Sequence, residues 1–269
     1  MGVDDNGDVR EVETFSLYGY PENIKHEQKR TRNDLPRDVH LKSLNDLVQS
    51  IVASVIRKEP YNWIICEGLS DKIYLDAYLS HIVAKRKLRI LPLAGRESVR
   101  RIFEHLRLPL IDKSIGAKGR IMCIIDTDKQ SMEAPSDGKE KVIELRRLWV
   151  NHDKNEVELL RSNDNKWAPE TNIEDCLDSA IFVKTLQEYS ADYPFLKKIV
   201  NRDETSIGRY AFEIDLLRSE RDNLDKQFFN VGDNKVRFAK SYVSVLVEQN
   251  TQKKESLTWV DELENFFTR

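Results

Sequence analysis

The stretch NWIICEGLSDKIYL, residues 62–75, decides how the rest of the chain is read. Its first five residues, Asn62 to Cys66, carry no charge and hold three large apolar side chains in a row, which predicts a short strand buried on both faces. Glu67 follows at once, Gly68 permits a tight turn, and a helix is expected to open at Ser70 with Asp71 in its first turn.

Working outward, residues 61 to 128 alternate strand and helix. After NWIIC come the helix SDKIYLDAYLSHIVAK, the strand LRILPLAG, the helix RESVRRIFEHL and the strand GRIMCIIDTD. Continuous apolar strands separated by helices predict an α/β fold with a parallel sheet covered on both faces and right-handed crossovers. Beyond a polar loop, KQSMEAPSDGKE, the segments VIELRRLWV and NEVELLRS flank the turn-like NHDK and read as a hairpin. TNIEDCLDSAIFVKTLQEY reads as one helix, and residues 190–269 as mostly helical with a break at NVGDN.

Upstream, DDNGDVREVETFSLYGY places an Asp5-Asn6-Gly7 turn before an alternating stretch and suggests a hairpin arm. IKHEQKRTRNDLPRD is highly charged and expected to be exposed. SLNDLVQSIVASVI is amphipathic, with Leu44, Leu47, Val48, Ile51 and Val55 at helical spacing and Ser43 and Asp46 as a capping box. Three divisions follow: 1–60 as an N-terminal arm and helix, 61–185 as the sheet-bearing domain, and 186–269 as a helical C-terminal region.

The 269 residues are 40% hydrophobic and 33% charged, enough to bury a core under a well-wetted surface. No run approaches the ~18 apolar residues of a membrane span, and the start MGVDDNGDVREVE lacks the apolar core of a signal peptide, so a cytoplasmic protein with no membrane partner is expected. Cys66, Cys123 and Cys176 are widely spaced and odd in number, which indicates neither a zinc site nor a disulfide framework. The net charge of −3 leaves nucleic acid binding open, because local charge matters more than the sum.

The strand ends carry the chemistry. In an open parallel sheet the binding crevice lies outside the carboxyl ends of the strands. Glu67 ends the first strand, and Asp126 and Asp128 end the third, two apart so that both point the same way with Thr127 turned aside. Carboxylates gathered on one rim repel unless a proton or a cation neutralises them. With no histidine or cysteine beside the acids in an equivalent position, a hard, oxygen-loving ion such as Mg2+ or Mn2+ is the natural occupant. Each acid has an ordinary reading too. A glutamate after a strand is commonly a solvated loop residue, a lone DxD is frequent, and Asp71 suits the positive end of a helix dipole. Their shared placement on strand ends is what singles them out.

ICEGLSDKIYL, LPLAGRESVRRI and MCIIDTD together resemble the three signature blocks of the Toprim domain, over roughly residues 61–180. The glutamate and DxD blocks are intact and in order, about 60 residues apart, while LAGRES has one glycine where the family often has two. TNIEDCL and GDNKVRFAKSYV further resemble late motifs of the OLD-family nucleases. The resemblance implies a Toprim-type parallel sheet sandwiched by helices and a Mg2+- or Mn2+-dependent endonuclease using two ions. It implies metal ligands Glu67, Asp71, Asp126, Asp128 and Glu174, with Lys235 as a catalytic cation and Lys240 as the competing lysine. Basic residues near the site, Lys72, Arg96, Arg100 and Arg101, are candidate contacts to the nucleic acid backbone. Thr171 and Glu174 also satisfy an ordinary capping box.

In longer relatives an ABC-type ATPase precedes the Toprim domain. RTRNDLPRD and the helix after it look like the end of such an ATPase or its coupling segment, yet no Walker A sequence, GxxxxGK[ST], is present. The resemblance therefore implies either a fragment or a separate ATPase partner, an arrangement similar to antiphage defence systems with a Toprim effector, and it leaves room for a homodimer. Two alternatives stay open: a catalytically silent Toprim regulatory or assembly module, and an endonuclease toxin acting on structured RNA. DNA and RNA substrates are not separated by these residues.

Overall fold

The computed structural model describes residues 2–3, 9–10, 37–112, 115–127, 142–161, 169–202, 208–249 and 257–268. They fall in two compact units, Met1–Leu47 and Val48–Arg269. In the first unit β1 (Gly2–Val3) pairs antiparallel with β2 (Val9–Arg10). The Asp5-Asn6-Gly7 turn, most of the charged stretch from 24 to 38, the loop 129–140 and Asp128 lie outside the described residues.

The first helix, α1 (Arg37–Val55), starts earlier than its apolar spacing suggests. In the second unit its last turns bury Ile51 and Val55 completely. Then follow β3 (Asn62–Cys66), α2 (Leu69–Tyr78), β4 (Leu88–Pro92), α3 (Arg96–Ile111) and β5 (Ile121–Ile125), so the predicted strand–helix alternation is what forms. The hairpin also forms, as β6 (Ile143–Asn151) and β7 (Glu156–Arg161), with Leu148 opposite Leu159. Asn155, in its turn, takes a positive φ of 51°, a conformation asparagine tolerates well.

The sheet order is β4-β3-β5-β6-β7. The first four strands are parallel and β7 is antiparallel at the edge. Fold class is therefore α/β with a five-stranded, mostly parallel sheet. The period-two alternation of a strand sorts its side chains onto two faces. Ile64, Cys66, Met122 and Ile124 join the larger core, together with Tyr74 and Leu75 of α2. Ile65, Ile121, Cys123 and Ile125 are equally buried but fall outside that core; on the other face α3 packs on β3, β5 and β6 through Val99, Ile102, Phe103 and Leu106.

The larger core reaches far along the chain. It gathers α4 (Ser179–Tyr189), α5 (Asn234–Gln249) and α6 (Thr258–Thr268) onto the sheet that β3 begins. Aromatic rings dominate the contact: Phe182, Tyr189, Phe228, Phe229, Phe238 and Tyr242 pair edge-to-face or tilted at 5–6 Å. α5 packs on both α2 and α4. All three cysteines are buried and none is in a disulfide, as small apolar side chains in a core. No helix among the described residues is long and apolar enough to cross a membrane.

The chain enters β5 through a close approach. A Cβ on Gly119 would run into the carbonyl of Tyr61, while the Gly119 N–H donates to Val55 O at 2.9 Å. Gly119→Ala is therefore expected to cost about 1–3 kcal/mol through a forced backbone shift, read as a lower thermal midpoint by circular dichroism; an unchanged midpoint would show that the approach relaxes freely.

Candidate active site

β3 sends its connection one way, through α2 to β4, and β5 sends its connection the other way, to β6. The strands β3 and β5 are neighbours in register, with Ile65 opposite Cys123. This is a topological switch point, the place outside the strand ends where an open α/β sheet forms its binding crevice. Glu67 and Asp126 stand at it. The Asp126 N–H donates to Glu67 Oε1 at 2.8 Å, so the two strand ends are tied through the glutamate side chain. The loop after β4 closes the same corner: Leu93 N–H and Gly95 N–H donate to Cys66 O and Glu67 O at 2.8 and 3.0 Å. Gly95 does so with a φ of 92°, which a side chain would strain.

Asp71 is 6% exposed. Its carboxylate accepts from the Gly68 N–H at 2.9 Å and from Ser70 Oγ at 3.2 Å. Asp71 thus stands in the first turn of α2, at the positive end of its dipole, and its carboxylate also satisfies the orphan Gly68 N–H. The cap also holds the carboxylate on the crevice side, where its charge acts on Asp126.

Glu174 arrives by a separate route. Thr127 turns away from the acids, as the two-residue period requires. It is buried, exchanges backbone hydrogen bonds with Thr171 at 2.8 and 2.9 Å, and donates its hydroxyl to Leu148 O. That bridge sets the 171–178 segment beside the end of β5. The segment is not the start of one long helix. Ile173–Cys176 is a single 3-10 turn, Leu177 is extended, and α4 starts at Ser179 with Asp178 as its N-cap, accepting from Ile181 N–H at 3.0 Å. The Thr171–Glu174 capping box does not form either. Asp175 takes the capping bond, accepting from Asn172 N–H at 3.0 Å, and pairs with Arg221 at 2.9 Å. The reason is geometric: Thr171 is committed to the bridge with Thr127, so the turn begins one residue later and leaves the Glu174 side chain for other work.

That side chain meets Lys235. The Lys235 ammonium lies 3.0 Å from Glu174 Oε2, reaching out from the first turn of α5. Lys240, five residues further along the same helix, is exposed, and Lys235 is the one of the two beside Glu174. The cations proposed to follow a nucleic acid backbone are more scattered. Lys72 pairs with Asp76 one turn along α2, Arg100 pairs with Glu97 at 3.3 Å, Arg101 is exposed, and Arg96 is half-buried at the start of α3.

Burial and like charge dominate the electrostatics. Burial first, then Asp71 and Glu67, pushes the Asp126 carboxyl well above the usual range. Burial raises Asp71, with Lys235 opposing. Glu174 rises to about 7, again through burial with Lys235 opposing. Burial alone would lower Lys235, but Glu174, Asp126 and Asp71 more than reverse it and hold the ammonium charged. Sequence reasoning missed Tyr74. It follows Asp71 by three residues and so shares its helix face; its hydroxyl is fully buried without a hydrogen-bond partner, as is Glu174 Oε1.

Among the described residues no three acids, histidines or cysteines stand as a ready-made metal cage. The donor set still suits a hard cation. It consists of carboxylate oxygens, one of which, Glu174 Oε1, is a buried acceptor with nothing to accept from. No protein-family model, curated protein or solved structure matches the chain.

Two outcomes are expected. A carboxyl whose folded pKa is raised binds its proton more readily folded than unfolded, so its contribution to stability is full below about 4.5 and is lost as pH rises through about 7. With a chelator present, the thermal midpoint should be higher at pH 5.5 than at 7.5, and Glu174→Gln should flatten that difference; an equal slope in the variant would show that Glu174 is not the group responsible. Tyr74→Phe removes a hydroxyl that makes no bond and should leave the stability unchanged or raise it in chemical denaturation; a loss of more than ~1 kcal/mol would reveal a partner for Tyr74.

Proposed function

We propose that the chain is a Toprim-type, OLD-like, metal-dependent phosphodiesterase that cleaves DNA or RNA. The observation that carries the reading is the junction of Glu67 and Asp126 across the switch point of a parallel sheet, with Asp71, Glu174 and Lys235 brought to it from three other segments. Strand ends, a helix start, a 3-10 turn and a C-terminal helix have no packing need to send ionisable groups to one corner. A site of that kind is where perturbed carboxylates and a charged lysine have a chemical use. The signature blocks ICEGLSD and IIDTD fall at these positions.

Glu67, Asp71, Asp126, Asp128 and Glu174 are the groups that would hold Mg2+ or Mn2+. When bound, such an ion supplies Lewis acidity toward a phosphoryl oxygen and lowers the pKa of water. The remaining chemistry belongs to the chain. The Asp126 N–H orients Glu67. The Gly68 N–H and the Ser70 hydroxyl orient Asp71. Lys235 brings a fixed positive charge to a rim otherwise lined by acids, where it offsets the charge that develops on a phosphate in the transition state. An ABC-type ATPase partner and a role in antiphage defence belong to the same proposal and are supported by the resemblance of RTRNDLPRD and of the late motifs.

A second reading has an observation of its own. The Lys235–Glu174 ion pair neutralises part of the acid cluster with a side chain, which is what a silent regulatory or assembly module would need. The two readings part in one experiment. With Mn2+ or Mg2+ and labelled DNA and RNA, the parent should cut, Glu67→Gln and Asp126→Asn should lose at least ~100-fold, and Lys240→Ala should cut as the parent does. Calorimetry should find Mn2+ binding that Asp126→Asn abolishes. Equal cleavage by Glu67→Gln, Asp126→Asn and parent would displace the site, and no Mn2+ binding by the parent would favour the silent module.

A further inference from the structure

The two ends of the sheet differ in charge. Acids gather at the carboxyl ends of β3 and β5. At the amino ends of the same strands the chain places cations. Arg57 and Lys58 precede β3; Lys85, Arg86 and Lys87 precede β4, whose second residue is Arg89; Lys118 and Arg120 precede β5. The segments 57–62, 84–89 and 117–121 hold these eight cations and one acid, Glu59. In a chain with a net charge of −3 that is a strong local excess.

Backbone and side-chain bonds gather the segments. Asn62 is the staple: its Nδ2 donates to Arg86 O at 2.6 Å, its Oδ1 accepts from Arg120 N–H at 2.8 Å, and its own N–H donates to Lys87 O at 3.2 Å. Trp63 N–H donates to Arg120 O at 2.8 Å, and Lys118 N–H donates to Val55 O at 3.0 Å. Adjacent strands lie about 5 Å apart, so β4, β3 and β5 present their leading cations within roughly two strand spacings. Arg57, Lys58, Lys85, Arg89 and Lys118 are exposed. Lys87 is paired with Glu59, and Arg120 donates to Phe266 O at 2.8 Å. Protection of an edge strand by charge explains Arg89 on β4, but not Lys118 and Arg120 ahead of the interior strand β5.

We infer that this amino-terminal end of the sheet is a nucleic acid contact, separate from the acid rim, that grips the phosphodiester backbone of a DNA or RNA strand. An acidic protein or an anionic membrane would also answer the charge. The aromatic component favours nucleic acid. The Tyr61 ring joins two of these cations, with the Arg89 guanidinium 5.2 Å and the Lys87 ammonium 5.9 Å from its centroid. A tyrosine with a planar guanidinium over it is a platform for stacking bases between phosphate contacts. The inference needs neither metal nor cleavage and stands or falls apart from the nuclease reading.

The test is fluorescence anisotropy in EDTA, with labelled single-stranded DNA, duplex DNA and RNA over a salt series. The parent should bind at least one probe with log K falling linearly in log salt. Changing Lys85, Arg89 and Lys118 together to alanine should weaken binding at least tenfold and reduce that slope by about 2–3, one per lost phosphate contact. The three side chains are exposed, and a measurement on the parent alone supplements the variant: the bound probe should shield Lys85 and Lys118 from amine methylation and leave Lys226 reactive. The probe bound most tightly identifies the strand chemistry. No binding to any probe, equal affinity in parent and triple variant, or tighter binding of polyglutamate or of phosphatidylserine vesicles than of every oligonucleotide would overturn the inference.

Discussion

Carboxylates withdrawn from water at one rim cannot all keep their charge, and Lys235 brings a cation to them. Its ammonium sits 3.0 Å from Glu174 and acts on Asp126 and Asp71 as well. Taking a charge out of water is costly unless a partner stands close. The arrangement holds together because a positive charge arrives from a segment more than 60 residues beyond Glu174 in the chain. Burial, which the lysine offsets only in part, is why Asp126, Asp71 and Glu174 are all driven upward.

Much of the C-terminal region can be understood as support for that one delivery. α5 is pressed on α2 through Tyr74, Tyr78 and Tyr242 and on α4 through Phe182 and Phe238, and its position sets where Lys235 begins. Tyr242, on the same helix, accepts from the Asp178 N–H at 3.0 Å and shares a hydrogen bond of 2.6 Å with Tyr78 of α2. Trp259 of α6, fully buried, donates to Cys176 O at 2.9 Å. Two C-terminal helices thus hold the 173–178 turn from behind while the Thr127–Thr171 bridge holds it in front. A buried network of this sort is rigid when its members are satisfied, and rigidity is what an orienting shell requires.

The sheet itself is polarised. Parallel strands put all their carboxyl ends on one side, so residues that follow strands collect there and residues that precede strands collect opposite. Acids follow β3 and β5; cations precede β3, β4 and β5. Both ends are tied by the same strands, with the Glu67–Asp126 bond at one end and the Asn62 staple at the other. A polymeric anion reaching both ends would meet cations at one and an acid rim at the other.

The strand–helix alternation from 61 to 125, the hairpin and the helical C-terminal region were all legible in the sequence. Local pattern is enough for them, because continuous apolar strands and three-to-four spacing are consequences of which faces must be buried. Glu67, Asp71 and Asp126 were legible for the same reason: each sits where a local element ends or begins. What the tertiary structure alone decided lies between segments. Thr171 has the residue type of a cap, yet it bonds Thr127, so the capping duty moved to Asp175 and Glu174 was left for Lys235. Lys235 and Lys240 look alike along the chain, and only the packing of α5 on α2 turns one toward the acids and the other to solvent. The cations at 57–58, 85–89 and 118–120 read separately as ordinary charged loops; parallel pairing of three strands makes them one surface, since register, unlike propensity, is set by partners distant in sequence.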